Sequence, residues 1–144
     1  PPERFRELAK KLIEEENIHV IFFGDSSMEE MIKHICQGLP ERAMNLAGVT
    51  SLRELMALIK SCDALVTNDS GPMHIAAAFD VPLVALFGST DEQKTGPYGY
   101  PESTIQNKVS CSPCFKRVCP IDFRCMKGIE VEGVFQRVCK LLKL

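Results

Sequence analysis

Asp63-Ala64-Leu65-Val66-Thr67-Asn68-Asp69-Ser70-Gly71-Pro72-Met73-His74-Ile75-Ala76-Ala77-Ala78 changes character halfway along. Asp63 to Thr67 is largely apolar and reads as a buried strand. Asn68 to Pro72 ends it and opens a helix running to about Phe79. Pro72 suits the first helical turn, where its missing N–H is not needed, and Gly71 lets a ligand come close to the backbone. Soon afterwards Pro82-Leu83-Val84-Ala85-Leu86-Phe87 reads as a second buried strand, closed by Gly88. Apolar strands joined by a helix are the repeating unit of a parallel sheet covered on both faces.

The same alternation extends outward. Phe5, Leu8, Ala9, Leu12 and Ile13 recur at helical spacing, so residues 2–16 read as an amphipathic helix. Ile18 to Phe23 is a compact apolar run, closed by Gly24-Asp25, and reads as a buried strand. Ser26 and Ser27 supply hydroxyl caps, and Glu29 and Glu30 early carboxylates, for a helix ending near Gly38-Leu39-Pro40. Met44-Asn45-Leu46 is a short strand. Ser51 and Glu54 fit a capping box, with Leu52, Leu55, Met56 and Ile59 on the apolar face of the helix that follows. Past Gly88 the chain is turn-rich and irregular until a last helix from Ile129 to Leu142. The order predicts an α/β class, a Rossmann-like parallel sheet with helices on both faces. No repeat or linker interrupts it, and residues 1–144 read as one domain.

Composition narrows the function. The 144 residues are 45% apolar and 25% charged, the mix of a globular protein. Seventeen Lys and Arg against 19 Asp and Glu give a net charge of −2, which argues against nucleic acid as a partner. Val81 to Phe87 is the longest apolar stretch, far short of the roughly 18 residues of a spanning helix, so membrane contact is at most peripheral. No signal peptide pattern opens the chain, and Pro1-Pro2 without an initiator Met suggests a fragment of a longer protein. Seven cysteines, an odd number among helical patterns, fit a reducing, cytoplasmic setting better than a disulfide scaffold.

In an open α/β sheet, ligands gather where strands run into loops at their carboxyl ends. Three such ends stand out: Gly24 to Ser27, Asn68 to Pro72, and Phe87 to Asp91. At the second, the unpaired N–H groups of a helix start carry partial positive charge and suit a phosphate. Ser70 adds a hydroxyl. Asp69 would repel a phosphate and is better suited to loop N–H groups or sugar hydroxyls. His74, three residues past Gly71, lies on nearly the same face and can donate to the same ligand. Spacing alone leaves a plainer reading open, in which Asp69 caps the helix and His74 is a satisfied interior histidine. The G-x-G-x-x-G, G-x-x-x-x-G-K-[ST] and G-x-S-x-G patterns are absent, so nicotinamide binding, P-loop hydrolysis and the common esterase mechanism lose their sequence support.

The run Val66 to Ala78, followed by Val81 to Asp91, resembles the donor-binding signature of glycosyltransferase family 9, the ADP-heptose:lipopolysaccharide heptosyltransferases. The cysteine segment is similar to one found in heptosyltransferase II-like members. The resemblance implies the C-terminal, donor-binding half of a two-domain GT-B enzyme. It implies ADP-heptose as donor, the lipopolysaccharide inner core as acceptor, and inverting transfer at the cytosolic face of the inner membrane. Ser70 and Gly71 would contact the diphosphate, and Asp69 and His74 the diphosphate–heptose portion. Thr50 would lie against adenine, with Gly24, Asp25 and Glu29 at the ribose. The family's first strand of this domain, and its catalytic aspartate in the N-terminal domain, have no counterpart in these residues. The fragment alone is therefore expected to be inactive. Competing readings are a nucleotide-binding module without transfer activity and a metal- or redox-responsive domain.

That last reading rests on Cys111, Cys114, Cys119 and Cys125. Their spacing allows four thiolates around one structural zinc or an iron–sulfur cluster, a pair of disulfides, or reduced thiols in a loop packed by Pro113, Phe115, Pro120 and Phe123. No cofactor is required for the expected transfer. Lys116, Arg117, Arg124 and Lys127 make the segment basic, as a solvated loop or as a contact for acceptor phosphates or a membrane surface.

Overall fold

A computed structural model describes residues 1–144, which fall into two compact units, Pro1–Ala57 and Leu58–Leu144. In the first, α1 (Pro2–Glu16) buries Leu8, Ala9, Leu12 and Ile13, the stripe its spacing predicts. Lys11 and Glu15 pair across one turn at 3.2 Å. The helix ends at Asn17, whose backbone turns left-handed at φ 57° and returns its N–H to Leu12. β1 (Val20–Phe22) and β2 (Ala43–Asn45) pair in parallel, Val20 opposite Ala43 and Phe22 opposite Asn45. Between them lie a 3₁₀ turn (Ser26–Met28) and α2 (Glu29–Cys36), and α1 packs on α2 and β1.

Three expectations shift here. The first strand is three residues long and only half-buried, because β2 is its single hydrogen-bonded neighbour. The cap of the turn that follows is Asp25, whose Oδ1 accepts from the Ser27 N–H at 2.9 Å, and not Ser26. β2 begins one residue earlier than Met44. The capping box forms as read: Glu54 Oε2 accepts from the Ser51 N–H and hydroxyl, both at 2.7 Å, at the head of α3 (Leu52–Lys60). The division between the two units falls inside this helix.

The second unit is built on β3 (Leu65–Asn68), β4 (Leu83–Phe87) and β5 (Thr104–Gln106), all parallel with β4 in the middle. All five residues of β4 are buried. A strand paired on both edges, with α4 (Gly71–Ala78) and α7 (Val131–Leu142) packed against it, has no side open to water. The apolar face of α7 is Val131, Val134, Phe135 and Val138. Asp63 and Ala64 stay outside β3, because its register with β4 begins only at Leu65 opposite Leu83. The short elements α5 (Glu92–Thr95), β5 and α6 (Arg124–Lys127), together with a 3₁₀ turn at Pro101–Ser103, occupy the stretch that reads as irregular. Thr104-Ile105-Gln106 is too short for a periodicity, and pairing with β4 is what makes it a strand. No helix is long and apolar enough to cross a membrane.

Candidate functional site

The carboxyl end of β3 runs through Asn68, Asp69 and Ser70 into α4. Ser70 is the N-cap residue, with extended backbone, but its hydroxyl does not cap the helix. It lies 3.1 Å from the Thr67 hydroxyl and donates to the Asn68 carbonyl at 3.2 Å. The first turn of α4 thus keeps a positive end that no side chain covers. A Cβ built on Gly71 would meet nothing within 4 Å, and its φ is not in the left-handed region. The glycine is not demanded by backbone geometry or by protein neighbours. It keeps the approach to the helix end open.

Asp69 is half-buried, and its Oδ2 accepts a 2.9 Å hydrogen bond from the Thr95 hydroxyl. It is therefore held by α5 rather than serving as the cap of α4. His74 is exposed. The plainer reading of a capping aspartate and an interior histidine does not describe this helix start. Thr95 itself is placed by α5, which Asp91 caps by accepting from the Gln93 N–H at 3.0 Å. Glu92 pairs with Lys108 at 2.9 Å, and Gln106 Nε2 donates to the Thr90 carbonyl at 2.9 Å, so the loop after β4 is tied to β5 and its exit. Thr67 and Thr95 escape sequence reasoning. Thr67 lies in the run Val66 to Ala78 but reads only as part of a strand, while Thr95 sits in no motif and its partner is 26 positions away.

In the other unit, Gly24, Asp25 and Glu29 come together at the carboxyl end of β1. The Gly24 carbonyl accepts from the Gly48 N–H at 2.9 Å. Gly48 has φ +72°, and a Cβ there would sit 3.3 Å from Glu29 Oε2, so the carboxylate lies over this glycine. The hydroxyl and N–H of Ser27 hold the exposed Asp25 carboxyl below the usual aspartate value, which keeps it ionised and accepting. Thr50 is half-buried immediately before the capping Ser51.

All seven cysteines are free thiols. Cys111, Cys114, Cys119 and Cys125 line one small pocket, yet no three acidic, histidine or cysteine groups are arranged to hold a metal ion. Hydrogen bonds from backbone N–H groups, Ile121 first and then Phe123, push the Cys119 thiol below its ordinary pKa. The segment is pinned to the end of β4: the N–H groups of Cys114 and Phe115 both donate to the Ser89 carbonyl, and the Ser112 hydroxyl donates to Gly88 at 2.7 Å.

Parallel strands joined by helices, with a helix starting at a strand's carboxyl end, define a protein of the Rossmann-like α/β class. Residues 1–123 match the model of glycosyltransferase family 9 (heptosyltransferase). The chain belongs to this family. It is 34% identical over 129 residues to lipooligosaccharide heptosyltransferase 2 of Campylobacter jejuni, covering 86% of this chain and 40% of that protein. Against lipopolysaccharide heptosyltransferase 2 of Escherichia coli it is 40% identical over 110 residues, covering 74% and 31%. The structure of E. coli ADP-heptose lps heptosyltransferase II superimposes with a TM-score of 0.84 at 33% identity, over 99% of this chain and 41% of that one. A family 9 glycosyltransferase from Veillonella parvula gives 0.78 at 28% identity. The fold is accordingly the Rossmann-like α/β fold of the GT-B type. The chain spans about two fifths of the length of the relatives first named.

Proposed function

We propose that residues 1–144 form the nucleotide-sugar-binding half of a heptosyltransferase, taking ADP-heptose as donor and serving transfer to a lipopolysaccharide inner core. The head of α4 carries this reading. Its uncapped N–H end and the open space at Gly71 suit a diphosphate. As the sugar–phosphate bond breaks, the departing ADP gains negative charge. The Gly71 N–H and the helix dipole are fixed in place before that happens, and the Ser70 hydroxyl joins them by rotating away from the Asn68 carbonyl. Asp69, anchored by Thr95, accepts from sugar hydroxyls, and His74 donates from the exposed face of the helix. Asp25 and Glu29 accept from the ribose, beside the Gly24 backbone, and Thr50 lies against the adenine.

The acceptor hydroxyl must also lose a proton to a positioned base. The reading places that carboxylate outside residues 1–144, in a preceding domain of the whole enzyme, at the cytosolic face of the inner membrane. The 144 residues then bind ADP but transfer nothing by themselves. Isothermal titration of this chain with ADP tests the proposal. A dissociation constant on the order of 0.1–1 mM, or about 4–5.5 kcal/mol, is expected. Absence of heat at millimolar ADP, in protein whose circular dichroism shows a folded α/β chain, would overturn it.

A further inference from the structure

The stretch Phe115 to Lys127 carries four cations and one carboxylate in a chain whose net charge is −2. Arg124 is spoken for by Asp122, its Nε donating at 2.9 Å. Lys116, Arg117 and Lys127 are exposed and form no ion pair. Among them stand Phe115, Val118, Ile121 and Phe123, exposed at 54%, 81%, 60% and 40%. These are four of the eleven large apolar side chains that the chain leaves exposed, gathered within nine residues.

The base of this segment is fixed while its tip stands out. Phe115 is bound to the Ser89 carbonyl at the end of β4, and the Phe123 N–H donates to Cys119 Sγ at 3.3 Å. Cys125 and Ile129, just beyond, are buried. Phe115 and Phe123 both have positive φ, 54° and 60°, so the chain bends sharply at each end of the exposed stretch. A tethered loop that holds branched and aromatic side chains in water, ringed by unpaired cations, has the composition of an interfacial anchor. Apolar side chains enter the headgroup boundary, and Lys and Arg meet anionic lipid.

We propose that Phe115 to Lys127 docks on an anionic lipid bilayer. The charge sign selects the occupant: a surface net positive by three is matched by anionic headgroups, which attract each nearby cation by roughly a fivefold gain in binding. The inference stands apart from the nucleotide site, since neither Asp69 nor the head of α4 takes part.

Sedimentation of the 144-residue chain with vesicles tests it. Binding is expected to phosphatidylglycerol–phosphatidylcholine vesicles, to fall in high salt, and to be at least tenfold weaker with phosphatidylcholine alone. The double variant Lys116→Glu/Arg117→Glu should lower binding by more than tenfold. Val118→Ser/Ile121→Ser should lower it severalfold while leaving charge unchanged. Both pairs are exposed, so unfolding temperature checks that the fold is intact. Equal binding to neutral vesicles, or anionic binding that neither variant alters, overturns the proposal. So does self-association that Val118→Ser/Ile121→Ser abolishes in the absence of lipid. Loss of ADP binding would leave the vesicle result standing, so the two readings fail separately.

Discussion

Replacing Gly71 with alanine separates what the protein needs at this position from what a ligand needs. The added methyl would meet no protein atom within 4 Å, and the backbone is not in the left-handed region. Folding should therefore not suffer. Alanine at a helix start is, if anything, favourable, by up to about 1 kcal/mol. A diphosphate drawn to the N–H groups of the first turn would meet the methyl instead and be held off from them. Losing one charge-assisted hydrogen bond of this kind costs about 1.5–3 kcal/mol, roughly a ten- to 150-fold rise in the ADP dissociation constant. Calorimetric titration reads the affinity and a thermal melt reads the fold. Gly96→Ala is the contrasting control, because a Cβ there collides with the Glu92 carbonyl of α5 and the melt should fall. Gly71→Ala protein that is as stable as the parent and binds ADP equally well would refute the placement of the diphosphate.

Thr95→Val keeps the side-chain shape but removes the donor to Asp69. It should lower stability by about 1 kcal/mol and weaken ADP-heptose more than ADP, while Thr95→Ser restores both; equal losses for the two ligands would count against Asp69 as a sugar contact. Ser51→Ala opens the capping box of α3 and should cost about 1 kcal/mol, read as a drop of roughly 3 °C in the melt. The Ser51 hydroxyl and N–H hold Glu54 below the ordinary glutamate value. This contribution is therefore present above that value and is lost as pH falls through the lower folded one, so the parent and Ser51→Ala melts should converge in acid. Alkylation near neutral pH should reach Cys119, whose thiol is pushed down by backbone N–H groups, about tenfold or more before Cys36 and Cys62, which burial pushes up. Peptide mapping after partial modification gives the order, and early labelling of Cys62 would contradict it.

The local pattern of residues determined much of this protein. The stripe at Leu8, Ala9, Leu12 and Ile13 can bury itself only as a helix face. Leu83 to Phe87, unbroken by polar residues, belongs at the centre of a parallel sheet. The reciprocal Ser51–Glu54 cap is a short-range interaction, complete within four residues. The head of α4 was legible for the same reason, since Ser70, Gly71 and Pro72 each act through their own backbone position.

Tertiary structure decided whatever depends on a distant partner. Thr104-Ile105-Gln106 becomes a strand because Ala85 to Phe87 offers it hydrogen bonds. Ile18 to Phe23 contributes only three strand residues because its single neighbour, β2, is that short. Asp69, read as an acceptor with a cap as the plainer alternative, is held by Thr95 from α5. Four thiols spread over fifteen positions are gathered along one pocket. Spacing along the chain fixes how close such groups can come. Where each side chain finally points depends on the hydrogen bonds and packing that other segments supply.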